Sequence, residues 1–330
     1  NIWISTDGGG LFKATGSNLN KLQLIENGLT CHSMMTLEVD NNGTVWSGTY
    51  GHGLFCSYNN EVFEKPEPLN RVADDKIMCL KYDKKRNNLY IGLNGNRVDV
   101  INLSTNQLTH ITAPINKWVR AIHVDKFGKL WFGTPEGTFY FDIDKNKILE
   151  ANIGIAKYSS TFCFEEYGNN LFIGTLAGLV KYDLTKNTSV QLNQGKDIEL
   201  KNILAMIVGD DQSLWFTTPR SLSRLNLKTN YIRTYSSFEG FNIGEFRFGS
   251  VMKDENGKIM FGGDNGIIRI DPSIVNKEQH RMRPIYITGL NINNKPVDYD
   301  YNQKSANVLD ASLVEAKKIR LSYKENSLTF

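Results

Sequence analysis

Seven side chains of the sequence carry the chemistry of a sugar-binding or anion-binding surface: Tyr50, His52, Trp118, Arg120, Tyr158, Arg220 and Arg247. Aromatic rings offer flat apolar faces for stacking, and the planar guanidinium group donates paired hydrogen bonds to a carboxylate or a sulfate. Single members also have structural interpretations: Trp118 suits packing at a sheet edge, Arg247 an ion pair, and His52, in a Gly-His-Gly turn, simple exposure. The ligand-site hypothesis therefore depends on a fold that brings the set to one surface.

Signals for catalysis and for metal binding are weak. Residues 5–12 fit an S-x-D-x-G-x-x-F box of the sialidase type, but the box occurs once and is itself a turn. Glu136 and Glu245 would serve glycoside hydrolysis only at a fixed separation, which a sequence does not show. The histidines form no HExxH motif, and the four cysteines form no CxxC motif or Cys/His metal spacing. We predict no catalytic residue, no metal site and no cofactor, and the pairing of the cysteines stays open.

Charge and hydropathy exclude two further classes for this segment. The 330 residues contain 38 Lys and Arg against 35 Asp and Glu, a formal charge of +3. Nucleic-acid binding requires a concentrated basic face, which so balanced a composition does not indicate. No run approaches the ~18 uninterrupted apolar residues of a membrane span.

An internal repeat determines the expected fold. Large residues anchor its seven copies at intervals of 41 to 45 residues: Trp3, Trp46, Tyr90, Trp131, Phe172, Trp215 and Met260. Within each copy, apolar residues alternate over short stretches and Gly, Asn and Asp separate them, which is typical of strands. Four strands, A to D, per copy match a propeller blade. The sequence therefore predicts an all-β protein, a seven-bladed β-propeller with four-stranded antiparallel blades.

Packing explains why such copies occur together. A four-stranded sheet has two apolar faces, and stacking against neighbours on both sides buries them. We expect Trp46, Trp131 and Trp215 to form the core between blades, and the acids Asp40, Asp125 and Asp254 to cap the turns between strands A and B. An open β-solenoid is the alternative fold, although its repeats are usually shorter.

The two ends of the segment depart from the repeat. The first copy begins at strand B, so we expect closure to use a preceding strand, a strand from the far end, or to be incomplete. After Pro272 the repeat stops. The predicted domains are a propeller over 1–272, a polar linker over 273–283, and the start of a further β domain over 284–330, which is too short for an independent sandwich.

The copies resemble the two-component regulator propeller repeat, with the best matches from Asp125 to Thr134 and from Leu171 to Asp183. The seventh copy, residues 240–272, is similar to the terminal blade of that family. The tail, with PIYITGLNINNKPV and IRLSYKENSLTF, is similar to the start of the Tyr-rich Ig-like domain that follows such propellers. The third copy lacks the motif's Thr, and the sixth has Thr217 in place of its Gly.

The resemblance implies a function in signalling. Members of this family carry the extracytoplasmic sensor region of a hybrid two-component regulator, followed by a membrane helix, a kinase and a response-regulator part, and many recognise oligosaccharides to control glycan utilisation. By this resemblance we expect a periplasmic sensor with an oligosaccharide ligand, a homodimer of the full receptor, and membrane attachment only through a downstream segment. A protein-interaction scaffold and a carbohydrate-cleaving propeller remain the alternatives.

Overall fold

The computed structural model describes residues 1–15, 19, 21–66, 75–95, 97–112, 118–142, 146–192, 200–235, 243–278, 289–297, 308–311, 316 and 318–329. The chain divides into two compact units, Asn1–Pro272 and Ser273–Phe330. In the described part of the first unit, twenty-five strands form seven antiparallel sheets.

The first two sheets and the last one each pair three strands. The first contains β1 (Ile2–Thr6), β2 (Gly10–Ala14) and β3 (Leu22–Ile25). The second contains β4 (Met34–Val39), β5 (Val45–Thr49) and β6 (Leu54–Ser57). The seventh contains β23 (Phe246–Lys253), β24 (Ile259–Gly263) and β25 (Gly266–Ile270).

The four sheets between them have the four strands that the repeat predicts. The third contains β7 (Ile77–Asp83), β8 (Asn88–Leu93), β9 (Arg97–Asn102) and β10 (Gln107–Thr112). The fourth contains β11 (Ala121–Val124), β12 (Leu130–Thr134), β13 (Gly137–Asp142) and β14 (Lys147–Glu150). The fifth contains β15 (Thr161–Tyr167), β16 (Asn170–Thr175), β17 (Gly178–Asp183) and β18 (Thr188–Leu192). The sixth contains β19 (Ala205–Val208), β20 (Ser213–Thr217), β21 (Leu222–Asn226) and β22 (Ile232–Tyr235).

The second and seventh sheets have three strands where the repeat predicts four, whereas the first begins at strand B as the sequence indicates. In the second sheet the outer strand is reduced to one bridge, in which Cys56 and Glu64 exchange two backbone hydrogen bonds of 2.9 Å. Pro66 stands where the next ladder donor would be, and proline has no N–H to give. In the seventh sheet the chain leaves β25 and enters a helix at Pro272 instead of turning back as a strand. The first sheet has β1, the strand B of the repeat, as its first described strand.

Apolar clusters join neighbouring sheets and close the propeller. Trp46 of the second blade packs with Ile77 and Leu80 of the third, in one buried cluster. The first and seventh blades meet through Ile2, Ala14 and Met260. Because the two ends of the repeat are in contact, the structure is a closed propeller and not an open solenoid.

The tryptophan anchors are buried, as predicted. Trp131 of the fourth blade is fully buried in a cluster with Leu171 and Ile173 of the fifth. Trp215 is equally inaccessible and stacks on Tyr235, with ring centroids 6.0 Å apart. These large side chains fill the space between sheets, where burial removes most apolar area from water.

A glycine two residues after the anchor, as in the third and fifth copies, allows the neighbouring blade to approach. A Cβ on Gly174 would lie 2.5 Å from the Cys163 Sγ and 2.7 Å from the Met206 Cε of the next blade. A Cβ on Gly92 would lie 2.8 Å from the backbone oxygen of Val119. The pattern of a large anchor, one residue and a glycine thus combines a side chain that fills the space between sheets with a residue that leaves room for the inner strand of the adjacent sheet.

The turn acids cap the turns as predicted and also hold the tryptophans. One oxygen of Asp125 accepts the backbone N–H groups of Phe127 and Lys129, at 3.0 and 2.9 Å. Its other oxygen accepts the indole N–H of Trp131 at 2.9 Å. Gly128 completes this turn with a φ of 86°, a left-handed conformation that glycine adopts without strain. Asp40 and Trp46 repeat the arrangement in the second blade, at 3.0 Å.

The inner strands surround the axis of the propeller. From β4 to β23, the first strand of each blade contacts the first strand of the next. Their inward-facing charges are paired or hydrogen-bonded: Glu38 lies 3.5 Å from the Lys81 ammonium, and Glu165 accepts the backbone N–H of Val208 at 2.8 Å. Burial nevertheless raises the pKa of Glu38 and of Glu165 above their ordinary values.

The second unit contains the helix and three short strands. Helix α1 spans Pro272–Glu278, so the stretch predicted as a linker begins with a helical segment that has proline at its first position. Residues 279–288 lie outside the described part. Strands β26 (Asn291–Ile292), β27 (Lys295–Pro296) and β28 (Leu328–Thr329) form a sheet with β26 in the centre. Leu290, Ile292 and Leu309 form the buried cluster of this unit.

Candidate ligand-binding face

The predicted binding residues lie at one end of the propeller. Antiparallel connectivity places the loops between strands B and C, and those that lead from D to the next A, at the end opposite the Asp-capped turns. We call this end the loop face. Backbone hydrogen bonds fix these loops to each other between blades. Gly51 and Gly53 of the second blade donate to the Asp75 oxygen at 2.8 and 3.0 Å, and Phe246 of the seventh donates to the Pro219 oxygen at 2.9 Å.

Tyr50 and His52 share the loop between β5 and β6. The Tyr50 ring is partly exposed, and the Lys76 ammonium lies 5.3 Å from its centroid. The Thr49 hydroxyl accepts the backbone N–H of His52 at 3.2 Å, and this residue is exposed. This loop therefore places the Lys76 ammonium beside the aromatic face of Tyr50. The sequence interpretation did not include Lys76.

Trp118 and Arg120 precede the inner strand of the fourth blade. The Arg120 guanidinium carbon lies 5.0 Å from the centroid of Trp118 and 5.3 Å from that of Phe162. The Arg120 backbone N–H donates to the Gly133 oxygen at 2.8 Å, which fixes the residue to β12. Phe162, which the sequence interpretation also missed, occupies a register shift between Thr161 and Cys163. Such a bulge redirects a side chain out of strict alternation, here towards the arginine.

The polar groups of this cluster lack protein partners in the described part of the chain. The indole N–H of Trp118 is buried, and no described residue accepts its hydrogen bond. No carboxylate among the described residues forms an ion pair with Arg120. Burial lowers the pKa of the Arg120 guanidinium, although arginine remains charged under all physiological conditions. The structure thus holds a partly dehydrated cation between two aromatic rings.

Tyr158 is the most exposed aromatic residue of the seven, with 75% of its surface accessible. It follows a short 3-10 turn, Gly154–Ala156, in the loop that leads to the fifth blade. The Lys157 ammonium lies 4.9 Å from its ring centroid and 3.1 Å from a Glu150 oxygen. The charge of this lysine is therefore already shared with a carboxylate.

Arg220 and Arg247 form ion pairs on the sixth and seventh blades. Arg220 contacts the Glu245 carboxylate at 3.4 Å, and Arg247 contacts Asp264. The structure therefore supports the ion-pair interpretation of Arg247. The two ion pairs are neighbours, because the backbone oxygen of Glu245 accepts the backbone N–H of Asp264 at 3.0 Å.

The seven residues thus share the loop face but fall into three groups. Tyr50 and His52 belong to the second blade, Arg220 and Arg247 to the sixth and seventh, and the remaining three border the fourth and fifth. Arg120 is distinct because aromatic rings surround it instead of an acid.

The described residues contain no group of three or more His, Cys, Asp or Glu side chains placed to hold a metal ion. All four cysteines are buried as free thiols, which resolves the pairing that the sequence left open. Within the described part of the chain, no helix has the length and apolar character to cross a membrane.

Comparison with known proteins agrees with the repeat. Residues 114–136 match the family model of the two component regulator propeller. Over 98% of its length the chain is 22% identical to Histidine kinase P4 of Formosa agariphila, of which it covers 25%. The chain thus spans about a quarter of that curated relative.

Solved structures show the same fold. The extracellular domain of a putative hybrid two component system from B. thetaiotaomicron superposes with a TM-score of 0.76 at 22% identity, over 99% of this chain and 44% of that one. Virginiamycin B lyase from Staphylococcus aureus superposes with a TM-score of 0.60 at 16% identity, over 73% of this chain and 82% of that one. The repeats and the closed circle of seven blades make the chain a β-propeller, and residues 114–136 of it match the two component regulator propeller model.

Proposed function

We propose that this propeller is the ligand-sensing part of a hybrid two-component receptor and binds an oligosaccharide on the loop face. The observation that carries the proposal is the set of aromatic and guanidinium groups on loops whose backbones are hydrogen-bonded between blades. A rigid scaffold that presents such side chains on loops is the usual construction of a binding site. The similarity to an extracellular domain of a hybrid two component system and to a histidine kinase supports the signalling role.

The proposal extends to the location and the assembly of the receptor. The sensor lies in the periplasm, a downstream segment attaches it to the membrane, and the full receptor acts as a homodimer. Ligand binding shifts an equilibrium between two receptor arrangements, and it does so only by its differential affinity for the two. Residues 284–330, the start of the Ig-like domain in this proposal, transmit the change. Deletion of that domain from the full receptor should abolish reporter-gene induction while the ligand still binds. Induction that survives the deletion contradicts this route.

A panel of oligosaccharides tests the binding function. A ligand that prefers the native state raises the midpoint of thermal unfolding, and at 100 times its dissociation constant it adds ~2.7 kcal/mol. We expect at least one oligosaccharide to raise the midpoint in a saturable way. Replacement of Trp118 by alanine should reduce that shift, whereas replacement of the bottom-turn residue Phe127 should leave it unchanged. An inert panel contradicts oligosaccharide sensing and favours a scaffold that binds a protein partner.

An enzymatic function is the second candidate, because the same fold serves virginiamycin B lyase. Incubation of the chain with the same panel, followed by an assay for new reducing ends and for unsaturated products, separates the two. The sensor proposal expects binding without turnover. Catalytic release of either product contradicts it.

A further inference from the structure

We propose that Arg120, between Trp118 and Phe162, binds a carboxylate or sulfate group of the ligand. This inference rests on the proposed function for the remainder of the ligand, a sugar on the loop face. It assigns the acidic group of that sugar to a single side chain, and it predicts that the receptor discriminates acidic from neutral saccharides.

The first argument is the contrast with the other arginines of the propeller. Of the seven others that the structure describes, six contact a carboxylate at 3.4 Å or less: Arg86, Arg97, Arg220, Arg224, Arg247 and Arg269. The guanidinium carbon of the seventh, Arg233, lies 4.7 Å from the centroid of the Tyr235 ring. Arg120 contacts two aromatic rings instead, and no described acidic side chain pairs with it. A chain that neutralises its arginines so regularly leaves this one available to an anion from outside.

The second argument is the electrostatic state of the guanidinium. Burial alone lowers its pKa, and no acidic neighbour raises it in compensation. The faces of the two rings stabilise the cation, but they do not accept hydrogen bonds from the N–H groups in the plane of the guanidinium. These donors are therefore available to an oxyanion. Because water is partly excluded here, a charge-assisted hydrogen bond is stronger than the same bond at a fully exposed side chain.

The third argument is the adjacent indole. The Trp118 N–H is buried and has no acceptor among the described residues, an arrangement that is rare in native structures. An oxyanion bound beside the guanidinium brings acceptor lone pairs close to this indole, whose ring centroid lies 5.0 Å from the guanidinium carbon. The Lys157 ammonium of the next loop is held by Glu150, so it does not compete for the anion.

The ligand class follows from the number of cations. A nucleic acid requires many basic contacts along a surface, and the arginines that the structure describes on the remainder of this face are already paired. One cation between two rings suits one oxyanion attached to a flat, partly apolar ring. A uronic acid and a sulfated sugar share this chemistry.

The test follows the arginine side chains directly. The Nε–H resonances of the complete chain, labelled with 15N-arginine, are recorded during titration with sodium sulfate and with sodium glucuronate, at constant ionic strength maintained by sodium chloride. Glucose provides the neutral control. We expect a saturable shift of the Arg120 resonance with glucuronate, sulfate or both, and none with glucose. The stronger of the two anions identifies carboxylate or sulfate as the natural group.

Matched variants complete the test. Arg120→Gln should weaken anion binding at least ~10-fold, equivalent to ~1.4 kcal/mol, whereas Arg86→Gln, in a turn at the opposite end of the propeller and paired with Asp83, should not. Arg120→Lys removes the Arg120 resonance from the spectrum and so identifies it. The variant keeps the positive charge but lacks the planar guanidinium group, so it should bind the anion more weakly than the wild type. A drift of equal size at Arg120, Arg220 and Arg247, or no saturation of Arg120 with either anion, overturns the proposal.

Failure of this inference is distinguishable from failure of oligosaccharide sensing. If a neutral oligosaccharide stabilises the protein and Arg120→Gln binds it equally well, sensing stands and the anion site is wrong. If the Arg120 resonance saturates with an anion while the whole oligosaccharide panel is inert, the anion site stands and sugar sensing is wrong.

Discussion

Replacement of Asp125 by alanine removes the carboxylate that holds the bottom turn of the fourth blade. Three donors lose their acceptor: the backbone N–H groups of Phe127 and Lys129, and the indole N–H of Trp131. Trp131 has no accessible surface, so water cannot replace the lost partner. The variant therefore tests whether the turn acid stabilises the interface between blades and not only its own turn.

The expected loss of stability follows from these three bonds. An unsatisfied buried donor costs about 1 to 3 kcal/mol, and a backbone donor that water can reach costs about 0.5 to 1.5 kcal/mol. The sum predicts that Asp125→Ala lowers the free energy of unfolding by about 2 to 6 kcal/mol. Asp125→Asn should cost less, because its amide oxygen still accepts the backbone donors while its NH₂ group faces the indole N–H.

Urea unfolding, followed by far-UV circular dichroism, measures the loss. Asp183→Ala is the matched control: Asp183 accepts the backbone N–H groups of Thr185 and Lys186 in a turn of the fifth blade, and no tryptophan bonds to it. We expect a clearly smaller effect there. If both alanine variants unfold at the same urea concentration, the bond to the indole contributes nothing and our reasoning about it is wrong.

Three further perturbations have defined outcomes. Burial raises the pKa of Glu165 above its unfolded value near 4.5, so its charged form destabilises the folded protein above that pKa; Glu165→Gln should add ~1 kcal/mol to the free energy of unfolding at pH 8, and urea midpoints of the two proteins should converge towards pH 4.5. Gly174→Ala forces a Cβ against the neighbouring blade and should cost about 1 to 3 kcal/mol in a thermal melt, whereas Gly95→Ala, which meets open space, should cost nothing; equal melts would contradict the packing argument. The four buried thiols, with the pKa of Cys79 and Cys163 raised by burial, should react with a thiol reagent only after denaturation, and rapid labelling of native protein would disagree with the structure.

The strands and the closed arrangement of blades were predictable because one pattern recurs in every copy. Trp131 fills the space between two blades, and Gly133 allows the next blade to approach closely. Both features are visible in a single sequence when its copies are aligned. The missing outer strand of the second blade was harder to predict. Pro66 interrupts that strand only if its position is one that donates a hydrogen bond to the neighbouring strand, and the sequence does not show which positions donate. The hydrogen bond that Trp131 donates to Asp125 has only a weak signal in the sequence. That signal is the six-residue spacing between the acid and the tryptophan, which Asp40 and Trp46 repeat.

The end of the propeller that carries the seven candidate residues was predictable, and their contacts were not. The loop face follows from connectivity, so the seven residues could be assigned to it. The pairing of Arg247 with Asp264 joins residues of adjacent strands, and the contact of Phe162 with Arg120 depends on a bulge. A register shift of one residue turns a strand side chain to the opposite face of the sheet. Nothing in the identity of Phe162 predicts such a shift.

The bonds between the loops of neighbouring blades join main-chain atoms, such as the Gly51 nitrogen and the Asp75 oxygen. These contacts keep their atoms when a side chain at the rim is replaced. Substitutions there can exchange one recognised molecule for another while the supporting frame stays the same, so a single architecture can diversify into many receptors with little loss of stability.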